Sequence, residues 1–519
     1  MKRNFSLALI ISYGLIHVPL AFSQTTAPPA PPILSVVSGE YNVRAFGARG
    51  DGKTLDSPAI NRAIDAAAGA GGGTVLLPAG TYLSLSLHLK SNVRLHLDQG
   101  AVLQAAERTE EQRYDAPEDN PSTKFQDFGH SHWHDSLIWG EGLENVTIDG
   151  AGEIYGKGLE KQERPPGQGV GNKAIALKWC RNVNISDITI RHGGWFGILA
   201  TGVDNLTIDN LKIDTNRDGM DIDCCRNVRV SNCSVNSPTD DGICLKSSYG
   251  LNEARATENV TITNCFVSGY DEGTLLDGTR RWTPQNSPTG RIKFGTESNG
   301  GFKNITVSNC VFDKCRGLAL ETVDGGLLED VSINNITMRD IVNAPIFLRL
   351  GRRMRGPQGT PVGELRRISI SNVVIYNADA ASAVLMTGVP DHPIEDVSLS
   401  NIQIWFEGGG TREQAALTPP EKETDYPEPA RLGIMPSYGF YLRHLKGITL
   451  DNVRLHTLKS DERSPFVLDD VESAEFYRVK AEHGAGVPIF AISNSADLTM
   501  RMVEGVDDQQ KKARFQGNI

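Results

Sequence analysis

Two short acidic segments carry the residue types of this 519-residue chain that could transfer protons. Residues 216–219 read Asn-Arg-Asp-Gly, and residues 239–242, 23 positions further on, read Thr-Asp-Asp-Gly. Asp218 and Asp241 therefore occupy matching places, with Asp240 beside the second. Carboxyl groups crowded in this way acquire different pKa values, so that one can donate a proton while another accepts one. The spacing predicts an acid/base site.

A longer repeat surrounds these two segments. Each copy is one short strand of alternating Val, Ile and Thr that starts at an Asn or a substitute. The copies that start with Asn begin at Asn145, Asn182, Asn205, Asn227, Asn259 and Asn304, and further copies begin at Asp330, Arg367, Asp396 and Gly447. The closest copies are 22 and 23 residues apart. A period of this length, with β-branched strands and no helical crossover, indicates an all-β parallel β-helix.

A leucine-rich repeat is the alternative solenoid for this period, but Leu does not dominate the strands and the Leu-x-x-Leu-x-Leu register is absent. In a β-helix, equivalent positions of adjacent coils lie about 4.8 Å apart. Asp218 and Asp241 would then be neighbours on one face. The repeated Asn residues fall at or beside turns, which explains most of their Asn-x-Ser/Thr patterns without glycosylation.

The first 40 residues are typical of a targeting segment and a linker. Two basic residues, an apolar run over 5–21 and a small-residue cleavage site predict a secretory signal peptide over 1–23. Residues 24–40 are rich in Pro, Ala and Thr and are interpreted as a tether. Residues 41–500 follow as one β-helix domain, because a solenoid escapes the size limit of a single core, and 501–519 form a C-terminal tail. We expect a secreted or periplasmic protein without a membrane span.

Composition limits the partners. The formal net charge is −11 and the isoelectric point is near 5.6, and the absence of a basic stripe with interleaved aromatic residues argues against nucleic acid. Of the eight Cys residues, Cys233, Cys265 and Cys310 close equivalent strands, which predicts a buried stack. Disulfides remain the alternative in an exported protein. No Cys-x-x-Cys pair with matching His exists, and we expect a monomer with neither a metal nor another cofactor.

Residues 41–494 resemble glycoside hydrolase family 28, the polygalacturonase-like parallel β-helices. Segments 41–52 and 73–82 look like the shared start of these and related pectin-active β-helices. Segment 216–221 looks like the family's Asn-Thr-Asp-Gly motif, and segment 240–247 looks like its Asp-Asp motif. The resemblance implies a right-handed, pectin-lyase-like solenoid that hydrolyses pectic substrates.

By that resemblance Asp240 is the general acid, and Asp218 and Asp241 hold and activate the attacking water. The chemistry agrees, because cleavage of a glycosidic bond needs one protonated carboxyl group for the leaving oxygen and one carboxylate for the water. An inverting enzyme separates acid and base by roughly 6.5 to 9.5 Å, which adjacent coils and side-chain splay are expected to supply. Asp-Gly pairs also form simple turns, as at Asp324, but a turn leaves the doubled Asp unexplained.

Two departures from the family concern substrate binding. The family's Gly-His-Gly motif belongs to the coil after the Asp pair, where this chain has no His in 290–297. Its Arg-Ile-Lys motif, which grips the galacturonate carboxylate, belongs one coil further on, where Ala319 and Glu321 stand. Glu321 therefore suggests a neutral or hydroxyl-rich sugar on the leaving side. A literal Arg-Ile-Lys lies one coil early, where Arg291 and Lys293 share a strand face and either bind a carboxylate or form a solvated surface.

Four further residues are candidate substrate contacts. Asn216 starts the first motif, and Lys246 occupies the coil position of Asp223, which suggests a stacked structural pair. Trp195 lies one coil before Asn216 and either stacks on a sugar ring or covers the core. His192 is the nearest candidate to replace the missing family His, and a structural role is its alternative.

Five long insertions flank the predicted cleft. They span 107–134, 155–172, 279–290, 351–361 and 408–438. Loops of this length in a compact repeat are usually functional or disordered, and the third and fourth carry enough Arg to hold an acidic sugar. Such walls close one end of a groove and favour exo-action on oligosaccharides.

The predicted function is that of a secreted, inverting glycosidase on galacturonosyl or rhamnogalacturonan-type material that needs no metal. One alternative is a polysaccharide lyase on the same fold, with calcium bound by Asp221, Asp223, Asp240 and Asp241 and an Arg or Lys as base. The other is a carbohydrate-binding solenoid without activity.

Overall fold

The structure, a computed structural model, describes residues 39–161, 169–283 and 287–519. The expected signal peptide over 1–23 and nearly all of the expected tether over 24–40 lie outside these ranges. No helix within the described ranges is long and apolar enough to cross a membrane.

Short strands make up most of the described chain. The first eighteen are β1 (Glu40–Asn42), β2 (Asp51–Leu55), β3 (Gly73–Leu77), β4 (Gly80–Ser84), β5 (Leu87–His88), β6 (Val93–Leu97), β7 (Ala101–Ala105), β8 (Ile138–Glu141), β9 (Glu144–Asp149), β10 (Glu153–Tyr155), β11 (Lys173–Lys178), β12 (Arg181–Ser186), β13 (Thr189–Arg191), β14 (Phe196–Thr201), β15 (Asp204–Asp209), β16 (Lys212–Asp214), β17 (Asp218–Asp223) and β18 (Arg226–Ser231). The remainder are β19 (Ser234–Asn236), β20 (Ile243–Ser247), β21 (Thr257–Thr263), β22 (Phe266–Ser268), β23 (Ile292–Ser298), β24 (Phe302–Asp313), β25 (Leu318–Thr322), β26 (Leu327–Ile341), β27 (Ile346–Leu350), β28 (Glu364–Ala378), β29 (Val384–Thr387), β30 (Ile394–Gly408), β31 (Ser437–Lys459), β32 (Ser464–Tyr477), β33 (Lys480–Ala481), β34 (Phe490–Arg501), β35 (Gln509–Lys511) and β36 (Phe515–Asn518). Two α-helices, α1 (Ser57–Gly69) and α2 (Arg412–Ala415), and 3-10 turns at Val43–Phe46, Pro121–Phe125, Phe128–Ser131 and Pro429–Leu432 complete the described elements.

The strands stack in parallel, as the repeat predicted, but the coils before β24 have strands on three faces, where the sequence predicted one strand per repeat. The first stack contains β1, β3, β6, β9, β12, β15, β18, β21 and β24. The second contains β2, β4, β7, β10, β13, β16, β19, β22 and the end of β24. The third contains β5, β8, β11, β14, β17, β20, β23, β25, β27, β29 and β31. From β24 onward the first two stacks share single long strands.

The repeated Asn residues mark one corner of the coil. Each has a left-handed backbone, with φ of 56° at Asn205, a conformation that Asn tolerates better than most residues. The side chain of Asn205 donates to Asn182 over 2.9 Å and accepts from Asn227 over 3.2 Å. The same bond joins the Asn of each coil to the next from Asn92 to Asn304. These Asn residues are therefore structural, as predicted.

The cysteines and the ends of the stack complete the core. All eight Cys are buried and free, and Cys233, Cys265 and Cys310 form the predicted stack. At one end, α1 packs its buried Ala and Ile face against the first strands. At the other end, β35 and β36 pair antiparallel with β34. Both strands lie within residues 501–519, which the sequence predicted to be a C-terminal tail.

The third stack differs from the others in burial, and this difference locates the functional face. Strands of the first stack, such as β12, alternate buried and partly exposed residues, whereas β14, β17 and β23 are buried throughout. A strand buried on both faces needs a cover on its outer side. Here insertions provide part of that cover, because His130, Arg353 and Tyr426 contact residues of β17 and β23. We call the outer face of the third stack, beneath these insertions, the cleft floor.

Candidate active site

The three predicted carboxylates meet at the edge of the third stack. Asp218 begins β17, and Asp240 and Asp241 lie in the turn before β20, its parallel neighbour. One oxygen of each carboxyl group lies within 4.8 Å of the others. The predicted proximity of Asp218 and Asp241 is therefore present in the structure.

Glycine in both motifs permits this close approach. A Cβ atom on Gly219 would lie 2.4 Å from Val235 and 2.5 Å from the carbonyl oxygen of Gly242, well inside van der Waals contact. The backbone of Gly219 instead donates to the carbonyl of Asp241 over 3.0 Å. The Asp-Gly pairs thus join the two coils at the site as well as supplying its carboxylates.

The surroundings of the three carboxyl groups shift their pKa values in different directions. Burial alone would raise the pKa of Asp241, but the charges of Lys293 and Arg291 hold it below its ordinary value. Arg291 Nε lies 2.8 Å from Asp241 Oδ1, and Lys293 Nζ lies 3.3 Å from Oδ2. Burial raises the pKa of Asp218 well above its usual range, helped by Asp240 and Asp221. Burial and Asp241 also raise the pKa of Asp240, against the opposing charge of Arg217.

The literal Arg-Ile-Lys segment is part of the cleft floor. Arg291 and Lys293 are 3% and 1% exposed, so the solvated surface considered from the sequence is wrong. Lys293 lies opposite Cys244, because β23 pairs with β20 directly after the Asp coil. Both cations are directed at Asp241, and neither is left free for a ligand in this arrangement.

Glu321 lies one coil further on, on the next strand of the third stack. Lys293 pairs in register with Ala319, which confirms the coil position deduced for 317–322. Glu321 is fully buried, 3.7 Å from Lys293, and accepts a hydrogen bond from Thr296 over 3.4 Å. Burial raises the pKa of Glu321, which favours its neutral form. Glu321 is therefore part of the same buried floor, beside Lys293.

The predicted stacked pair of Asp223 and Lys246 is wrong, although the two residues are in register. Asp223 accepts hydrogen bonds from the backbone and hydroxyl of Ser248, at 2.8 and 2.6 Å. Lys246 Nζ lies 3.0 Å from Glu297 and 3.8 Å from Asp221. Asp223 ends its strand and turns to the following loop, whereas Lys246 remains within the strand and faces the cleft floor.

The remaining candidates from the sequence have mainly positioning contacts. The oxygens of Asn216 accept from the hydroxyl of Thr239, over 2.8 and 3.2 Å, and so join the two acidic segments. His192 Nδ1 lies 2.7 Å from Glu272, which gives this ring a structural partner outside the three carboxylates. The ring of Trp195 is covered by the guanidinium of Arg217, 3.9 Å from the ring centroid.

Several residues at the site were missed by the sequence reasoning. His130 Nε2 lies 2.9 Å from Asp221, and the hydroxyl of Tyr426 accepts from Lys293 and Thr296, over 3.2 and 3.0 Å. Both come from insertions, where no period links a residue to a coil position. Arg217 also contacts the site. It stands in the first acidic segment where the family has Thr, and that substitution could have indicated its role.

The insertions supply the walls of this cleft. The segment between β7 and β8 brings His130, the segment between β27 and β28 brings Arg353, and the segment between β30 and β31 brings Tyr426. Arg353 Nη2 contacts Asp324 over 2.5 Å and Glu297 over 3.4 Å. Arg355 reaches across the cleft to the backbone of Phe125, over 3.0 Å. The walls are therefore bonded to the floor and to one another.

The calcium set considered for a lyase is not assembled. Asp221 is engaged by His130, and Asp223 is engaged by Ser248. Asp241 is already neutralised by two buried cations. A calcium ion would have to compete with protein cations for its oxygen ligands, so the contacts favour hydrolytic carboxylate chemistry.

Comparisons with known proteins agree with the fold. Residues 41–193 match the family described as rhamnogalacturonase A/epimerase, pectate lyase-like, and residues 167–281 match the family described as right-handed β-helix region. A probable polygalacturonase of Vitis vinifera is 25% identical over 390 residues, covering 69% of this chain and 73% of that protein. A polygalacturonase of Gossypium barbadense is 25% identical over 394 residues, covering 70% of this chain and 84% of that protein.

Two solved structures share the architecture. The exopolygalacturonase of Thermotoga maritima has a TM-score of 0.60 and 18% identity, covering 80% of this chain and 91% of that one. A family 28 exopolygalacturonase of Yersinia enterocolitica has a TM-score of 0.58 and 20% identity, covering 91% of this chain and 78% of that one. The right-handed parallel β-helix predicted from the sequence is confirmed.

Proposed function

Because the chain is a divergent, pectin-degrading glycoside hydrolase of the family 28 type, we propose that it cleaves galacturonosyl or rhamnogalacturonan-type bonds in pectin-derived oligosaccharides. We further propose that it is secreted, acts from a chain end and inverts the anomeric carbon. The observation that carries the proposal is the meeting of Asp218, Asp240 and Asp241 within 4.8 Å, with different preferences for a proton.

In the proposed mechanism Asp240 is the general acid. Its side chain is 27% exposed, whereas Asp218 and Asp241 are buried, so it is the carboxyl group that a substrate can reach most readily. Protonation is favoured by burial and by the neighbouring charge of Asp241. Asp240 then gives this proton to the leaving oxygen. General acid catalysis of this kind accelerates a reaction by roughly 10²- to 10⁴-fold.

Asp218 and Asp241 act on the water. Asp241 remains ionised beside Arg291 and Lys293, so its carboxylate is the base that takes a proton from the attacking water. Asp218, whose pKa is raised well above its usual range by burial, keeps its proton and orients the same water through a hydrogen bond. The two roles follow from the different surroundings of similar side chains.

The distance between the carboxyl groups bears on whether the reaction inverts the anomeric carbon. The nearest carboxyl oxygens are closer than the roughly 6.5 to 9.5 Å expected of an inverting pair, so the wide separation predicted from the sequence is wrong for these atoms. Both oxygens of Asp241 are held by buried cations, which opposes its rotation onto the anomeric carbon. We therefore propose water as the nucleophile, and proton NMR of the first product anomer tests the assignment.

Action from a chain end is supported by the bonded walls of the cleft. Insertions meet over the third stack through Arg355 and Phe125, and through Tyr426 and Lys293. A groove closed by such contacts admits a terminus more readily than the middle of a polymer. The two structural relatives are themselves described as exopolygalacturonases.

The test is the purified protein on a panel of pectic oligosaccharides of defined length. New reducing ends and chromatography of the products report the bond cleaved and the end attacked. Release of single terminal units supports the proposal, and internal fragments would contradict exo-action. Full-length chain expressed with residues 1–23, followed by N-terminal sequencing of the exported product, tests secretion.

A further inference from the structure

Arg217 stands beside the general acid, at the motif position where the family has Thr. Its guanidinium pairs with the carboxylate of Asp240, and Nη2 lies 3.9 Å from Asp218 Oδ2. The cation also lies over the ring of Trp195, 3.9 Å from its centroid, an arrangement that is attractive in itself. The side chain of Arg217 is 27% exposed, so this ion pair borders the open part of the cleft.

The pair opposes the reaction in the free enzyme. A general acid must carry a proton when the leaving oxygen departs, whereas an adjacent guanidinium favours the ionised form of a carboxyl group. The pKa of Asp240 reflects both influences, because burial and Asp241 raise it while Arg217 lowers it. Relief of the ion pair would therefore help Asp240 to become an acid.

Among the charged groups around Asp240, Arg217 is the one placed to change partner. From its own coil and the neighbouring coils Asp240 faces Asp218, Asp241, Lys246, Lys293 and Arg217. Lys246 is held by Glu297 and Lys293 by Asp241, and their side chains are 5% and 2% exposed. Both lysines are therefore held in the floor, whereas the side chain of Arg217 is partly exposed.

Arg217 also has unused donors. Its Nε is buried without a hydrogen-bond partner among the described residues, and the bond to Asp240 uses Nη2 alone. Guanidinium carries five N–H donors in a planar fork that matches a carboxylate. Some N–H donors of Arg217 therefore have no acceptor in this arrangement. This favours replacement of Asp240 by a partner that accepts hydrogen bonds from more of the guanidinium group.

We propose that Arg217 recognises the carboxylate of a uronosyl unit next to the scissile bond, and that this binding frees Asp240 to act as the acid. The Arg217–Asp240 ion pair is exchanged for an Arg217–substrate ion pair, and Asp240 takes one proton from solvent. That proton then passes to the leaving oxygen. The inference rests on the proposed function and adds a specificity: substrates with a free carboxylate switch the acid on, whereas their methyl esters leave the ion pair intact.

The experiment compares pH profiles for a uronosyl oligosaccharide and its methyl ester. In the unaltered enzyme, the alkaline limb of kcat/KM reports Asp240 in the free enzyme, and that of kcat reports it with substrate bound. We expect the kcat limb to lie at higher pH for the free acid. In Arg217→Thr, the kcat/KM limb should move up by about one to three pH units, because the cation that lowers the pKa of Asp240 is gone. The preference for the free acid should fall by at least ~10-fold, mainly through KM.

Two further variants control for structure. Arg217→Lys keeps the charge and should retain part of the preference. Arg226→Thr removes an equal charge from the exposed pair with Glu258 on the first stack and should leave both limbs in place. The melting temperature of each variant shows whether it is folded.

The outcomes are distinguishable. An Arg217→Thr enzyme whose limbs and ester discrimination match those of Arg226→Thr would overturn the inference while leaving the proposed function intact. An unaltered enzyme that releases no product from any pectic oligosaccharide would refute the proposed function itself.

Discussion

At the scale of single residues, the proposed chemistry depends on Asp240. Asp240→Asn should lower turnover by roughly 10² to 10⁴, because the amide cannot supply the proton that the leaving oxygen needs. The melting temperature should change little, since Asp240 is partly exposed and its partner Arg217 retains the Trp195 ring. Asp330→Asn, which alters an exposed pair with Arg367 on the outside of the coil, is the matched control. A variant that keeps a tenth of the activity would remove Asp240 from the mechanism.

Lys293 should set the acidic limb of the pH profile. The depressed pKa of Asp241 means that it is still ionised at a pH where an ordinary Asp takes up a proton. Lys293→Met removes the largest opposing charge, so the pKa of Asp241 should rise and the acidic limb of kcat/KM should move up by ~1 pH unit or more. Lys303→Met, at an exposed pair with Glu258, should leave the limb unchanged.

The ion pair between Asp241 and Lys293 should also contribute to the free energy of unfolding. The folded pKa of Asp241 is lower than its unfolded value of about 3.9, so its stabilisation is fully present above that pH and is lost as the pH falls toward the folded pKa. Removal of one partner from a buried ion pair costs roughly 3 to 5 kcal/mol. Urea denaturation at neutral pH should therefore show Lys293→Met to be much less stable than Lys303→Met. Equal stabilities would contradict the buried pairing.

At the scale of elements, the Asn corner tests how the repeat determines the coil. Asn205→Ala loses two side-chain hydrogen bonds and places a Cβ-bearing residue without a local polar group at φ of 56°. Asn205→Gly loses the bonds alone, because Gly adopts this φ without strain. Urea denaturation should rank the unaltered protein first, Gly second and Ala last, with Ala about 1 to 2 kcal/mol below Gly. A Gly variant no more stable than Ala would show that the left-handed backbone is not the constraint.

This corner also explains how far the sequence predicted the fold. A recurring Asn before an alternating strand repeats the same local conformation in every coil, so Asn182, Asn205 and Asn227 were sufficient to predict the solenoid and the neighbouring positions of Asp218 and Asp241. The helix α1 was not anticipated, because it lies outside the repeat. Pro58 in its first turn and the buried spacing of Ala59, Ala63 and Ala67 are the signals that were available.

The limits of prediction at the site have the same origin. His130, Arg353 and Tyr426 reach the cleft from insertions, where the coil period gives no information about position. Lys246 was placed correctly in register but not in its contacts, because register fixes the backbone neighbour and leaves the side-chain partner to local packing. The sequence left open whether the strand at Arg291 is exposed or buried, because its burial depends on residues of those same insertions.

At the scale of the whole molecule, the solenoid does not decide the reaction. Parallel β-helices carry both hydrolases and lyases, and function resides in the site that the coils support. A calcium-dependent lyase would need carboxylates free to hold the ion, whereas here Asp221 is bonded to His130, Asp223 to Ser248 and Asp241 to buried cations. The coil therefore presents a set of carboxylates already balanced by the protein's own charges.

The last prediction follows from that balance and concerns metal removal. Dialysis against a chelator should leave turnover on pectic oligosaccharides unchanged, because the charges that a calcium ion would supply are provided by Arg291 and Lys293. Every bond cleaved should add one reducing end without producing the ultraviolet-absorbing unsaturated sugar that elimination leaves. The measurement is the ratio of reducing ends to ultraviolet absorbance, taken before and after chelation. Ultraviolet-absorbing products that disappear with the chelator and return with calcium would show that the reaction is elimination and not hydrolysis. Lys293 would then be the base of that reaction and not only a partner of Asp241.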